Sequence, residues 1–257
     1  MVTSVSILGS GNVASHLVRK LAAEEISIDC IFSRNKDTGI QLARAVGAKF
    51  TDSLSGIPEN SNAYIFMMSD TANVEYAQQV KFHDNAVLIH TSGSLPKEVF
   101  TSKKAAVMYP FQTFSRDVEV KNYSEIPICI EATNAETLQE VRELAQKISP
   151  KIYELSFEQR KILHIAGVFA SNFMNHSVFL GQKMLSDNDI PIEILNPLLS
   201  QSFAKIMNGD AYSSQTGPAA RGDRKVIESH VEMLSVDTKL AEIYKIMSES
   251  ILKTYNK

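Results

Sequence analysis

The chain has 257 residues, 44% of them hydrophobic and 21% charged, an ordinary globular composition that argues against a disordered chain. A formal net charge of -3 provides no general electrostatic footprint for nucleic acid, so a nucleic-acid partner is not expected. The two cysteines, Cys30 and Cys129, both lie in apolar, strand-like runs, which suits buried thiols in a reducing compartment better than a disulfide or a metal site.

From residue 1 to about 155 short β-rich runs alternate with amphipathic stretches, the signature of a sheet flanked by helices. Residues 1–8 read as an apolar strand running into a glycine turn, without the charged flank and cleavage signal of a secretory peptide, so a cytoplasmic location is expected. Strands are predicted at 5–8, 28–32, 63–68, 86–90, 105–108, 127–131 and 151–155. Helical patterns between them include Val13, Leu17, Val18 and Leu21, then Ile40, Ala43 and Val46, closed by Gly47, whose lack of a Cβ suits a left-handed helix end. After residue 155 strand signals stop, and helices are predicted at 156–186, 191–208, 223–234 and 237–254. These readings give two domains, 1–155 and 156–257. The apolar stretch 162–181 is interrupted by His164, Ser171, Asn172, Asn175 and His176, too polar for a lipid-facing span, so no membrane is expected. The apolar residues of 157–185 cover most of the helix circumference and need burial by sister helices, the first domain or another copy; a homodimer through the helical domain is the expected solution.

The strongest local signal is the strand at 5–8 running into Gly9-Ser10-Gly11-Asn12-Val13-Ala14, the G-x-G-x-x-A of a dinucleotide-binding turn. Gly9 permits the tight turn and Gly11 lets a pyrophosphate approach the backbone. Ala14 lets the helix pack on the sheet, and free N–H groups at the helix start face the phosphates. At the tip of the second strand an acid would accept from a ribose 2′-hydroxyl and repel a 2′-phosphate. The tip here reads Phe32-Ser33-Arg34-Asn35-Lys36, without an acid. Ser33 can donate to a phosphate and Arg34 can add a charged fork, so NADP is favoured over NAD, with Arg34 and Lys36 as solvated surface charges the lesser alternative. Met68 and Ser69 close the strand at 63–68, and His90 and Ser92 lie where the strand at 86–90 ends. All four fall on the carboxyl edge of the sheet and are candidates for the nicotinamide half, with a purely structural His90 as the alternative.

The predicted helix at 156–186 carries His164 and Asn172 in an apolar background. On a regular helix they stand roughly 80° apart and can point into one cleft, either as a site or as an internal hydrogen-bond network. The turn-rich segment 216–223 holds Arg221, able to bind a carboxylate or phosphate bidentately or to make a structural ion pair. Asp223 reads as a helix cap.

Together the segments G-S-G-N-V-A, His90-T-S-G, Tyr109-Pro110-Phe111-Gln112-Thr113-Phe114, His164-I-A-G-V-F-A-S-Asn172 and T-G-P-A-A-R-G-D make the chain resemble, over nearly its whole length, a family of NADP oxidoreductases in which a Rossmann-like domain precedes a helical domain of unknown function. In its wider kin the architecture resembles deazaflavin-dependent NADP reductases, pyrroline-5-carboxylate reductases, ketopantoate reductases and 3-hydroxyacid dehydrogenases. The resemblance implies a Rossmann doubly wound, mainly parallel α/β sheet followed by an all-helical domain like the C-terminal domain of 6-phosphogluconate dehydrogenase. It further implies an active site between the domains and a dimer built by the helical one, with His164, Asn172 and Arg221 facing the nicotinamide. The Lys-x-x-x-Asn pattern of the hydroxyacid group is absent, since Ile165 follows Lys161 by four residues.

The reading expected from the sequence is hydride transfer between NADP(H) and a small carbonyl or imine substrate, with His164 as proton donor, Asn172 orienting the substrate and Arg221 holding an anionic group. A non-catalytic NADP-binding sensor is the alternative, and a methyltransferase using the glycine turn for another cofactor is a weaker third.

Overall fold

The computed structural model describes residues 1–256, and the chain divides into two compact units, Met1–Asn172 and Phe173–Lys257. The first unit comprises, in chain order, β1 (Ser4–Leu8), α1 (Asn12–Ala23), β2 (Ser27–Phe32), α2 (Lys36–Val46), β3 (Lys49–Thr51), β4 (Ala63–Phe66), α3 (Asp70–Ala77), β5 (Val87–His90), β6 (Ala105–Pro110), β7 (Ile128–Ala132), α4 (Ala135–Gln146), β8 (Ile152–Glu154) and α5 (Phe157–Gly167). The strands form one sheet of order β3-β2-β1-β4-β5-β6-β7-β8. Every neighbouring pair is parallel except β6 and β7. This is the doubly wound Rossmann arrangement expected. The chain leaves β3 on one side of β1 and re-enters as β4 on the other, opening a crevice at the carboxyl ends of β1 and β4.

All seven expected strands are present, and β3 is an addition. Its Lys-Phe-Thr sequence carries no apolar run of its own. It becomes a strand because it pairs with β2, Cys30 lying opposite Lys49 and Phe32 opposite Thr51.

The central strands are apolar on both faces because helices cover both: Ile7, Leu8, Ile65, Phe66 and Ile89 are fully buried, and α1 adds Leu17, Val18 and Leu21. Each such side chain stabilises the fold by roughly 1.5–3 kcal/mol relative to exposure. Gly47 closes α2 in the left-handed conformation, φ 70°, as its position implied. Cys30 and Cys129 are free and buried. Burial pushes both thiols up to about 11, so they stay protonated and unreactive near neutral pH.

Ser156 starts α5 with a capping box: its side chain accepts from Gln159 N–H while the Gln159 side chain accepts from the Ser156 N–H. One turn later Arg160, only 1% exposed, donates from Nη1 to Glu131 Oε2 of β7 at 2.6 Å and from Nη2 to the Leu95 carbonyl; its Nε has no partner among the described residues. Lys97 Nζ donates to the other Glu131 oxygen at 2.7 Å. Burial alone would raise the Glu131 carboxyl, but hydrogen bonds from Lys97 and Arg160 outweigh it and hold it below the ordinary value. A buried guanidinium thus ties α5 to the sheet and to the turn after β5.

The helix expected over 156–186 is instead three pieces: α5, a π-helical segment at Val168–Phe173, and α6 (Met174–Ser186). Hydrophobic spacing carries no mark of a single widened turn, so the break was not legible. The second unit continues with α7 (Leu195–Asn208), α8 (Pro218–Arg221), α9 (Arg224–Met233) and α10 (Thr238–Tyr255). Asp223 caps α9 by accepting from Val226 N–H at 3.3 Å. Among the described residues of this unit only Ala219, Ile227 and Ser248 are buried. The apolar stretch 162–181, expected to be buried, is open in the single chain: Ile162 is 68% and Phe179 51% exposed. Among the described residues no helix is long and apolar enough to cross a membrane.

Removing the Arg160 guanidinium leaves Glu131 to Lys97 and takes from the Leu95 carbonyl its charged donor. Arg160→Met should therefore cost roughly 3 kcal/mol of unfolding free energy in urea titrations, and Arg160→Lys should recover little, because one ammonium cannot span both Glu131 and the Leu95 carbonyl. A loss under about 0.5 kcal/mol, the level of an ordinary surface substitution, would show that the pair does not hold α5.

Candidate functional site

The turn between β1 and α1 is held on both sides. Gly9 N–H donates to the Phe32 carbonyl at 2.8 Å, and Met67 N–H to the Leu8 carbonyl at 2.8 Å. Gly9 has φ +124°, and a Cβ there would sit 2.5 Å from the Met67 carbonyl oxygen, so only glycine fits. Gly11 is the opposite case: nothing lies within 4 Å of where its Cβ would be, and it starts α1 with no side-chain cap. The start of α1 is therefore left without a side-chain cap on the wall of a cleft, which is the condition for receiving an anion.

This turn forms one wall of a cleft of about 680 Å³ lined by Gly9, Ser10, Gly11, Asn12, Val13, Ser33, Arg34, Asn35, Thr38, Met67, Met68, Ser69 and Arg116. Nine of the eleven expected cofactor residues are in that group; His90 and Ser92 are not. At the base of the cleft the Ser10 hydroxyl lies 2.7 Å from that of Ser33 and 2.6 Å from that of Thr38. Ser33 also donates to the Asn35 carbonyl at 3.0 Å and accepts from Asn35 N–H at 3.2 Å. Ser33, expected to donate to a phosphate, is 5% exposed, and its hydroxyl shapes the turn that displays Arg34. Arg34 is exposed, with its guanidinium 6.0 Å from the Tyr76 ring centroid. The acids near the strand tip lie off the cleft: Asp29 accepts hydrogen bonds from Ser27 and Ser61 inside the strand, Asp52 pairs with Lys36, and Asp37 stands in the first turn of α2, outside the residues that line the cleft. Ser69 caps α3, accepting from Ala72 N–H at 3.4 Å.

Arg116 escaped the sequence reading. It lies on the long connection after β6, which folds back over α1: His16 Nε2 donates to the Ser115 carbonyl at 2.9 Å, and Arg116 donates to the Ser10 carbonyl. No motif or periodicity marks this residue; the loop's return path alone brings it to the glycine turn.

His90 is fully buried. Its Nε2 donates to the Pro96 carbonyl at 3.2 Å and its Nδ1 accepts from Ser92 N–H at 3.2 Å, while the Ser92 hydroxyl accepts from the N–H groups of Ser94 and Leu95. Both expected cofactor contacts are thus occupied in fixing the turn at 91–96, the structural alternative considered for His90.

His164, half-buried on α5, lies with Nδ1 3.2 Å from the Tyr109 hydroxyl of β6. Asn172 is exposed on the π segment. Because a π turn advances less per residue than an α turn, Asn172 rotates from its expected offset toward the His164 side. Arg221 is exposed at the end of α8, in the second unit. Among the described residues no group of His, Cys, Asp and Glu could hold a metal ion.

Comparison with known proteins fits this architecture. Residues 126–251 match the model of a domain of unknown function, DUF2520. A protein from Bacteroides fragilis described as a "putative NADP oxidoreductase" is 33% identical, with a TM-score of 0.91 over 98% of both chains. A protein from Thermotoga maritima is 22% identical with a TM-score of 0.74, again over 98% of both chains. An imine reductase from Myxococcus stipitatus, solved with NADP+, shares the fold at 12% identity and a TM-score of 0.67, over 99% of this chain and 100% of its own. No curated protein matches the sequence.

Burial, with the charge of Arg160 adding to it, pushes the His90 imidazole down to about 4 from 6.5. Between those values the unfolded chain binds the extra proton, so stability should fall as pH drops from about 6.5 to about 4, by on the order of 3 kcal/mol. Urea unfolding at stepped pH should show this slope in the wild type and a shallower one in His90→Gln; equal slopes would assign the acid sensitivity to other groups.

The near-complete structural match at 33% identity places this chain in the same family as the Bacteroides fragilis protein, with the DUF2520 match running from the last strands of the sheet into α10.

Proposed function

We propose that the chain is an NADP-dependent oxidoreductase acting on a small carbonyl or imine compound. The carrying observation is the cleft at the β1–α1 turn, where an uncapped helix start and an open Gly11 stand beside an arginine-bearing, acid-free tip of β2. NADP(H), when bound, supplies or accepts the hydride.

The backbone of Ser10, Gly11, Asn12 and Val13 suits the pyrophosphate, and the closeness of Gly9 to Met67 fixes that backbone. Arg34 holds the 2′-phosphate, and Arg116, on the same cleft, adds a second guanidinium that solvates developing or resident negative charge. Met68 and Ser69 line the rest. His164 supplies the proton, Asn172 orients the substrate and Arg221 holds an anionic group, while His90 and Ser92 keep the turn at 91–96 in place. The imine class is favoured by analogy with the imine reductase that shares the fold.

A homodimer through the second unit belongs to this proposal. That unit has almost no buried apolar residue of its own, and Leu198 and Met207 are 62% and 81% exposed, more apolar surface than a soluble monomer ordinarily presents. Sedimentation velocity should give twice the chain mass at micromolar concentration; a monomer would remove the dimer.

Titrating the purified protein with NADPH and NADH, read by nicotinamide fluorescence, should show tight binding of NADPH only. Arg34→Ala should weaken NADPH at least tenfold while leaving NADH unchanged, equivalent to about 1.4 kcal/mol or more. Binding of neither nucleotide would sink the reading. In a screen of carbonyl and imine substrates with NADPH, His164→Ala and Asn172→Ala should each lower turnover by about a hundredfold; unchanged turnover would reject these roles.

A further inference from the structure

The segment Tyr109–Phe114 stands out in the sequence, and the cleft described above does not use it. Tyr109 is the fifth of six residues in β6 and half-buried. Its hydroxyl lies 3.2 Å from His164 Nδ1, and the two rings meet edge to face, centroids 6.2 Å apart and planes at 65°.

Three features show that the fold builds this contact. Gly93 is buried beneath both rings, and a Cβ there would sit 2.8 Å from Tyr109 Cζ and 2.9 Å from His164 Nδ1; the absence of a side chain makes room for the pair. Gly167, one turn after His164, does the same for Phe111, whose Cε2 would lie 2.7 Å from an added Cβ. Arg160, one turn before His164 and on the same helix face, is locked to Glu131 and the Leu95 carbonyl. The register of α5 over β6 is therefore fixed on either side of His164.

The polarity of the contact follows from chemistry. A phenol is a stronger hydrogen-bond donor than a neutral imidazole N–H, and the unprotonated ring nitrogen is a stronger acceptor than a phenol oxygen. Burial pushes the Tyr109 phenol up to about 12, so it keeps its proton wherever a histidine titrates. With Nδ1 accepting, the ring proton resides on Nε2, for which no partner exists among the described residues.

We propose that Tyr109 is a positioning residue for His164: its hydroxyl donates to Nδ1 of the neutral ring, fixing one orientation and one tautomer, and accepts from Nδ1–H once the ring has taken up a proton from solvent, so that the imidazolium presents Nε2–H to substrate and is left a neutral ring when it gives up that proton. This rests on the role given to His164 above. Outer partners that orient metal-bound imidazoles typically matter by about 10–100-fold, and an effect of that order is expected here.

The test separates the pair from the reaction. With 15N-labelled histidine, and His164 assigned by the signals lost in His164→Gln, the neutral ring should show an unprotonated Nδ1 and a protonated Nε2, without cofactor or substrate. Placing 3,5-difluorotyrosine, a more acidic phenol, at position 109 should move the Nδ1 resonance toward the protonated form, and Tyr109→Phe should move it the other way. Gly93→Ala, which crowds both rings, should mimic Tyr109→Phe. A proton on Nδ1 of the neutral ring, or an Nδ1 signal indifferent to all three changes, would overturn the proposal.

In turnover, Tyr109→Phe should lower kcat about tenfold with KM for NADPH unchanged, and should cost nothing further in a His164→Gln background. A Tyr109→Phe enzyme as fast as wild type, or one whose loss adds fully to that of His164→Gln, would also overturn it. If His164→Gln alone leaves turnover intact, the role of His164 fails, while the 15N signals still decide whether Tyr109 orients the ring.

Discussion

The backbone at Gly9 approaches the Met67 carbonyl so closely that a single methyl group would collide with it, and much of the first unit follows from that approach. It lets β1 and β4 lie side by side with their carboxyl ends level, which places the start of α1 over the crevice between them. The turn cannot relax outward, because Gly9 and Met67 are each hydrogen-bonded across the sheet. An uncapped helix start costs free energy in most contexts; here a rigid backbone presents unspent N–H groups at the sheet's switch point, where an anion can satisfy them.

A second constraint operates at the other end of the sheet. Burying the Arg160 guanidinium is costly in itself, and the pair with Glu131 offsets that cost only while its geometry holds. The arrangement therefore contributes more to register than to stability. It fixes α5 against β6 and β7 and brings together Gly93, Tyr109 and His164, which are distant in sequence. The glycines at 93 and 167 belong to the same device, each removing a side chain where an aromatic ring must pass.

The two units differ in how they are stabilised. The first buries apolar residues on both faces of its sheet, while the second exposes most of its apolar helical surface. Helices such as α6 and α7 owe their stability in water to packing of an apolar face, and the surface they leave open in the single chain is the one the proposed dimer would cover. The π segment at Val168–Phe173 lies where the chain passes from one kind of stabilisation to the other and turns Asn172 relative to His164.

Local sequence determined strands β1 and β4 to within a residue or two, the glycine turn, the left-handed close at Gly47, the cap at Asp223 and the acid-free strand tip, because each is written in adjacent residues by periodicity, capping chemistry or the lack of a Cβ. Tertiary structure decided the rest. Lys49–Thr51 is a strand only because β2 lies beside it, and Arg116 reaches the cleft only because a long loop turns back. His90 and Ser33 proved to be turn-holding groups once their neighbours used their polar atoms. Tyr109 and His164 are 55 residues apart, and their meeting depends on a buried ion pair and two missing side chains. The physical reason is range: propensity and capping act over a few residues, whereas the contacts that bring these side chains together act across the folded chain and leave no periodic trace in it.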